Sequence, residues 1–184
     1  MKRFCFAAAS FCVAFSFTSH AADFSVASPS FASGGSLKET SVLNDFGCVG
    51  QNISPALVWK GEPNGTQSFA VTVYDPDTPT GSGWWHWVVI NIPASIHNLV
   101  DGAGTADGKA LPASAIQTRT DFGVRAYGGP CPPPGDKAHR YIFTVYALKV
   151  AHLDVPIDAS AAMVSFMIHG NLLGSASIQA SYRR

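Results

Sequence analysis

Residues 75–93 read DPDTPTGSGWWHWVVINIP, and the second half of this stretch sets the architecture. Its end, WVVINIP (87–93), is apolar at nearly every position, the pattern of a strand covered on both faces. Just upstream, SFAVTVY (68–74) alternates Phe69, Val71 and Val73 against Ala70, Thr72 and Tyr74, which is the period of a strand. A short connection rich in Pro and Gly joins the two as a hairpin and places Asp75, Asp77 and His86 at one end of one sheet. A hairpin tip needs only Gly, Asn or Pro and a polar surface. Two aspartates, a histidine and three tryptophans are more chemistry than a turn requires. Pro76 and Pro79 fix φ on both sides of Asp77 and narrow the directions the carboxylates can take.

Working outward, ALVW (56–59) reads as a short strand after the turn signal QNISP, and GEPNGT (61–66) as the turn before the next strand. HRYIFTVYALKV (139–150) is the longest strand, with His139, Tyr141, Phe143 and Val145 on one side and Arg140, Ile142, Thr144 and Tyr146 on the other. Helix signals are weak until Asp158, which is placed to cap ASAAMVSFMIHGNLL. Ala162, Met163, Phe166, Ile168 and Leu172 form a rough apolar stripe there. ASIQASY (176–182) is a final strand. Trp85 and Trp87 are expected to share a core face, with Trp84, nearest the turn, lining any pocket. The result is a mainly β chain, a single domain with one or two small peripheral helices.

The 184 residues carry 12 Lys+Arg and 12 Asp+Glu, and 47% are hydrophobic, as in ordinary globular proteins. Residues 1–22 stand apart: Lys2 and Arg3, an apolar run Phe4–Phe17 too short to span a bilayer, then small residues. This is a signal peptide with cleavage expected after Ala21 or Ala22, leaving 23–184 as the exported domain. Phe11 is too bulky to precede a lipidated Cys12. Without Lys2 and Arg3, 10 basic side chains face 12 acidic ones, a formal charge of −2. No Lys/Arg block provides a footprint for nucleic acid or anionic membrane. Any anion must be held by a local pocket. Cys5 and Cys12 leave with the leader, so Cys48 and Cys131 remain. In an oxidising compartment a lone pair reads as one disulfide, the alternative being two free half-buried thiols.

The second chemistry-bearing stretch is YGGPCPPPGDKAHRY (127–141). Four prolines and three glycines make a stiff loop that delivers His139 and Tyr141 into a strand, and the glycines let backbone N–H groups approach a ligand. Together the two stretches supply imidazoles, carboxylates, backbone donors and an aromatic wall. DPDTPTGSGWWHWVVINIP and GGPCPPPGDKAHRYIFTVYAL resemble the two signature motifs of the phosphatidylethanolamine-binding protein family, also called Raf kinase inhibitor proteins. FGCVGQNISPALVW (46–59) is similar to the bacterial YbhB/YbcL-like branch.

The resemblance covers nearly all of the exported domain. It implies a central β-sheet packed on a second sheet, with a shallow pocket at one end that binds phosphate groups of lipid heads or of phosphorylated partners. It places the pocket on Asp75, Asp77, His86, Gly129, Pro132, Pro133, His139 and Tyr141, and, from the bacterial branch, locates the protein in the periplasm, although the signal peptide alone also allows secretion. Animal members have glycine where this chain has Cys131, which puts a larger group at the rim.

In chemical terms, His86, His139 and the loop's backbone N–H groups are expected to grip a small anionic ligand of phosphate type. One of Asp75 and Asp77 should accept from an imidazole and favour its protonated form, and the other should bond the loop's backbone donors. Two Asp and two His could also ligate zinc or manganese, but no HExxH or CxxC pair supports this, and no metal or cofactor is expected. GSG (81–83) lacks the context of a nucleophile elbow, DFG (121–123) lacks the other kinase motifs, and the carboxylates do not flank a substrate as in a glycosidase. No enzyme activity is expected. The competing reading is an interaction protein that modulates a kinase, protease or host factor. A protein partner and a homodimer both stay open.

Overall fold

The computed structural model describes residues 23–184; the leader assigned to residues 1–22 lies outside the described residues. Among the described residues eight strands form two antiparallel sheets. The larger takes the order β6 (Ile116–Gln117), β4 (Trp84–Pro93), β3 (Ser68–Asp75), β7 (His139–Leu148) and β8 (Leu172–Tyr182). The smaller takes β1 (Ser25–Ala27), β2 (Leu57–Lys60) and β5 (Asn98–Leu99). One helix, α1 (Ala161–Gly170), and a 3-10 turn at Glu39–Ser41 complete the elements of the described residues. This is the mainly β single domain expected from the strand pattern, with the second sheet that the family resemblance implied. No helix among the described residues is long and apolar enough to cross a membrane.

Period-2 alternation explains the layers. Phe69, Val71 and Val73 of β3 face inward beside Val89 of β4 and Phe143 and Val145 of β7, and pack on Leu57 and Trp59 of β2. The edge-to-face pair Trp59–Phe69, with centroids 5.4 Å apart, joins the sheets. On the opposite face Ala70, Val88 and Ile90 receive Ala161, Val164 and Ile168 of α1. The strand WVVINIP is therefore covered on both sides, which is why it carries no polar alternation. Each large side chain buried in these layers contributes about 1.5–3 kcal/mol.

Two expectations change. Ser160, not Asp158, caps α1, its side chain accepting from the Met163 N–H at 3.2 Å. The buried helix face is Ala161, Val164 and Ile168, while Met163 and Phe166 are 47% and 77% exposed. The i, i+3, i+7 spacing of the smaller side chains fits the sheet closely, and the bulkier Met163 and Phe166 are left outside. Leu172, read as the end of that stripe, instead opens β8.

The second change concerns the tryptophans. Val73 pairs with Trp87 but Tyr74 pairs with Trp85, so His86 is an extra residue in the ladder, a β-bulge. The bulge reverses the alternation. Trp87 enters the core between the sheets, and Trp85 packs on the helix-covered face against Tyr74, with ring centroids 4.7 Å apart.

Candidate functional site

The central position of β3, paired to β4 on one side and β7 on the other, carries the C-terminal Asp75 next to the start of both neighbours. His86 and His139 therefore come to the same end of the sheet from opposite sides. Gly83 sits in the hairpin with φ 67°, and a Cβ there would lie 2.3 Å from the Tyr74 hydroxyl, so only glycine closes this turn.

Asp75 is 1% exposed and takes four hydrogen bonds: from the backbone N–H groups of Asp77 and Thr78 at 2.7 and 3.1 Å, the Thr78 hydroxyl at 2.6 Å and His139 Nδ1 at 2.8 Å. His139 Nε2 lies 3.4 Å from Asp136 Oδ2. Asp75 thus combines the two tasks expected to be split between the aspartates. Asp77 instead turns outward to Arg140, accepting from its backbone N–H at 2.9 Å and its guanidinium at 2.7 and 2.8 Å. The hydrogen bond from Arg140 holds the Asp77 carboxyl at about 2.

His86 is 3% exposed. Its Nδ1 donates to the Gly128 carbonyl at 2.7 Å, while Nε2 is buried and has no partner. Burial pushes its pKa below the usual imidazole range, overcoming the opposing pull of the Gly128 carbonyl and Asp75. The ring is therefore neutral near pH 7. Tyr141 stacks edge-on against it at 5.1 Å. Burial, then Asp75, pushes the Tyr141 phenol far above its ordinary value, so it stays an O–H donor.

These groups line a cavity of about 230 Å³. Asp75, Thr78 and His86 supply the polar wall, and Phe46, Trp84, Phe122, Tyr141, Pro132 and Pro133 supply most of the apolar one. Of the residues expected at the pocket, Asp75, His86, Pro132, Pro133 and Tyr141 line this cavity, and Cys131 stands at its rim. His139 stands behind Asp75 and opens, with Asp77 and Arg140, on a separate polar hollow.

Gly129 is elsewhere. Its N–H donates to Asn52 Oδ1 at 2.7 Å, and a Cβ on it would lie 2.1 Å from the Ser41 carbonyl oxygen. The Gly128 N–H donates to the His86 carbonyl at 2.9 Å. Both glycine donors expected to face a ligand are thus committed inside the protein. Among the described residues no group of three or more His, Cys, Asp or Glu side chains is placed to hold a metal ion.

Cys48 and Cys131 form a disulfide across a separation of 83 residues, tying the Phe46 loop to the proline loop. Arg184 Nη1 reaches the Phe46 carbonyl at 3.3 Å and lies 3.3 and 3.5 Å from the two sulfurs. Sequence reasoning missed several contributors. Asn52, read as turn chemistry, sits at φ 53° and clamps the glycine loop through Tyr127 O at 3.0 Å and the Gly129 N–H. Phe122, within a stretch dismissed as an accidental match, packs edge-on against both Trp84 and His86. Asp121 beside it accepts from the Trp85 N–H at 2.8 Å. A polar side chain flanked by turn residues was the only available signal for Asn52, and Phe122 had none.

An antiparallel two-sheet domain with a preformed, largely apolar cavity at one end defines a class of small-ligand-binding proteins. The family model for phosphatidylethanolamine-binding protein matches residues 27–183, and the chain belongs to that family. It is 50% identical to the UPF0098 protein YbcL of Escherichia coli over 166 residues, 90% of this chain and 91% of that one. It is 52% identical to YbhB of the same organism over 149 residues, 81% and 93% of the two chains. LppC of Mycobacterium tuberculosis, named a lipoprotein, is 34% identical over 157 residues, 85% and 71%. The crystal structure of E. coli YbcL, described as a member of the mammalian PEBP family, superposes with a TM-score of 0.87 at 50% identity, covering 89% of this chain and 99% of that one.

Proposed function

We propose that this chain is an exported binding protein that takes the acidic head of a small molecule, of phosphate type, into the cavity beside His86, without turning it over. The observation that carries the reading is the buried, unpartnered Nε2 of His86 in the cavity wall. A buried polar nitrogen left without a hydrogen bond costs about 1–3 kcal/mol, a cost a bound ligand removes. The volume, about 230 Å³, is below the roughly 300–1,000 Å³ of sites for drug-sized ligands. It suits a head group while the rest of the molecule lies along Phe46 and Phe122. The family name points to a phospholipid head, and a phosphorylated partner would present the same group. Export is supported by the leader composition, the disulfide and the lipoprotein-named relative. The periplasm is the compartment proposed.

Native mass spectrometry of the purified protein, followed by calorimetric titration with a short-chain phosphate monoester, tests the reading. The wild type should bind and His86→Phe should not. Equal binding by both would remove the cavity from the function.

A second reading has its own observation. Phe46 and Val49, on the loop beside the cavity, are 68% and 91% exposed, an apolar edge suited to a protein partner. On that reading Phe46→Ser with Val49→Ser abolishes the biological effect while ligand binding persists.

A further inference from the structure

The acid-head reading leaves open the form in which the head enters, and the donors and acceptors around His86 decide it; the inference below rests on that reading. The Gly128 carbonyl can only accept, so His86 Nδ1, 2.7 Å away, must carry the ring's proton. In a neutral imidazole the other nitrogen is then a lone pair. That nitrogen, Nε2, is the buried one without a partner. The site thus offers an acceptor where an anion grip requires a donor.

The surrounding charges point the same way. Asp75 of β3 stands in the cavity wall, its carboxylate already bonded by Thr78 and by His139 of β7 behind it. Asp121 approaches from the turn that carries Phe122, bonded to the Trp85 N–H of β4. Tyr141 of β7 faces the ring as a neutral phenol. From the proline loop the ring meets the backbone of Gly128, whose carbonyl accepts from Nδ1, and of Gly129. Neither lysine nor arginine lines the cavity among the described residues. Arg140 is committed to Asp77, and Arg184, at the rim, to the Phe46 carbonyl. The N–H groups of Gly128 and Gly129 are spent on His86 O and Asn52 Oδ1, and the prolines beyond them have none, which leaves the N–H of Cys131 as the backbone donor of this loop beside the cavity. A doubly charged head would meet the Asp75 carboxylate in the cavity wall with no lysine or arginine in the lining to offset it.

We propose that the cavity selects the singly protonated form of a phosphate monoester, whose own P–OH donates to His86 Nε2. The ligand brings the hydrogen-bond donor that Nε2 needs, and it carries one negative charge fewer past Asp75. Tyr141 supplies an O–H to a remaining phosphoryl oxygen. No bond is made or broken; one proton is shared between the ligand oxygen and the imidazole.

Two probes separate this from capture by an imidazolium: methyl phosphate, and methyl sulfate, which carries a single charge but has no O–H. Both are titrated calorimetrically into the wild-type protein between about pH 5 and pH 8. The second ionisation of a phosphate monoester lies near pH 6, so the proposal expects methyl phosphate to bind about a hundredfold more weakly at the upper pH. Methyl sulfate should bind at least tenfold more weakly than methyl phosphate at the lower pH and show no pH dependence. Methyl sulfate matching methyl phosphate and tightening as the pH falls would mean that the ring is the donor, and would overturn this inference while leaving the acid-head site standing. A flat profile for methyl phosphate would overturn it equally. If neither probe binds at millimolar concentration, the acid-head reading fails, and this inference with it.

Discussion

Removing the Cys48–Cys131 bridge should destabilise the domain without abolishing its fold. The crosslink closes a loop of 83 residues, and the chain-entropy relation for a loop of that length gives about 4.5 kcal/mol at 25 °C. That figure is a ceiling, since residual structure in the denatured chain lowers it, and the folded domain keeps other contacts between the two loops. Leu43 N–H still donates to Pro130 O at 3.2 Å, and Cys48 lies in a small cluster with Val42 and Leu43. A Cys48→Ala/Cys131→Ala variant should therefore lose about 2–4.5 kcal/mol, and reduction of the wild type by a dithiol should match it. Urea unfolding reads both consequences. The midpoint should fall and the m-value should rise, because an uncrosslinked denatured chain exposes more surface. An unchanged midpoint and m-value, or a loss below about 1 kcal/mol, would refute the reasoning that the bridge constrains the unfolded chain.

Three further outcomes are expected. His86 has a lower pKa folded than unfolded, so the unfolded chain binds the extra proton first; the stability present above about pH 6.5 is lost as the pH falls below it, by up to about 1.4 kcal/mol per unit. Urea midpoints should drop less between pH 7 and pH 5 for His86→Phe than for the wild type, and equal drops would count against a buried neutral ring. Gly129→Ala places a Cβ against Ser41 O and should cost on the order of 3 kcal/mol, whereas Gly81→Ala, with open space around it, should stay within about 0.5 kcal/mol; thermal melts compare them. Asp75→Asn should cost about 1.5–3 kcal/mol by weakening its charged hydrogen bonds and, by removing the negative charge from the cavity wall, should weaken the pH dependence of phosphate-ester binding. Asp77→Asn touches only a half-exposed pair with Arg140, should cost less than about 1 kcal/mol and should leave binding unchanged. Equal effects of the two on binding would return Asp77 to the site.

The strands were legible because each buries one face or two, and burial writes its period into the residues. Phe69, Val71 and Val73 announce β3, and the unbroken run after Trp87 announces a strand with a sheet below it and a helix above it. That Asp75 and His86 share one end of a sheet followed from hairpin length, whereas His139 joined them only through the family resemblance. The sequence also determined the two loops rich in Pro and Gly and the cysteine pair available for a bridge.

Only the tertiary structure decided which of these groups point where. The bulge at His86 inserts one residue into the ladder, a change of register with no compositional signature, and it separates Trp85 from Trp87. Asp77 is two residues from Asp75, yet Arg140 across the strand pair draws it outward. The glycine amides, free on paper, are consumed by Asn52 and His86, partners distant in the chain. Local pattern records how a segment meets water and core. Hydrogen-bond partners that arrive from 42 or 77 residues away leave no trace in it, so whether His86 donates or accepts is settled by the fold.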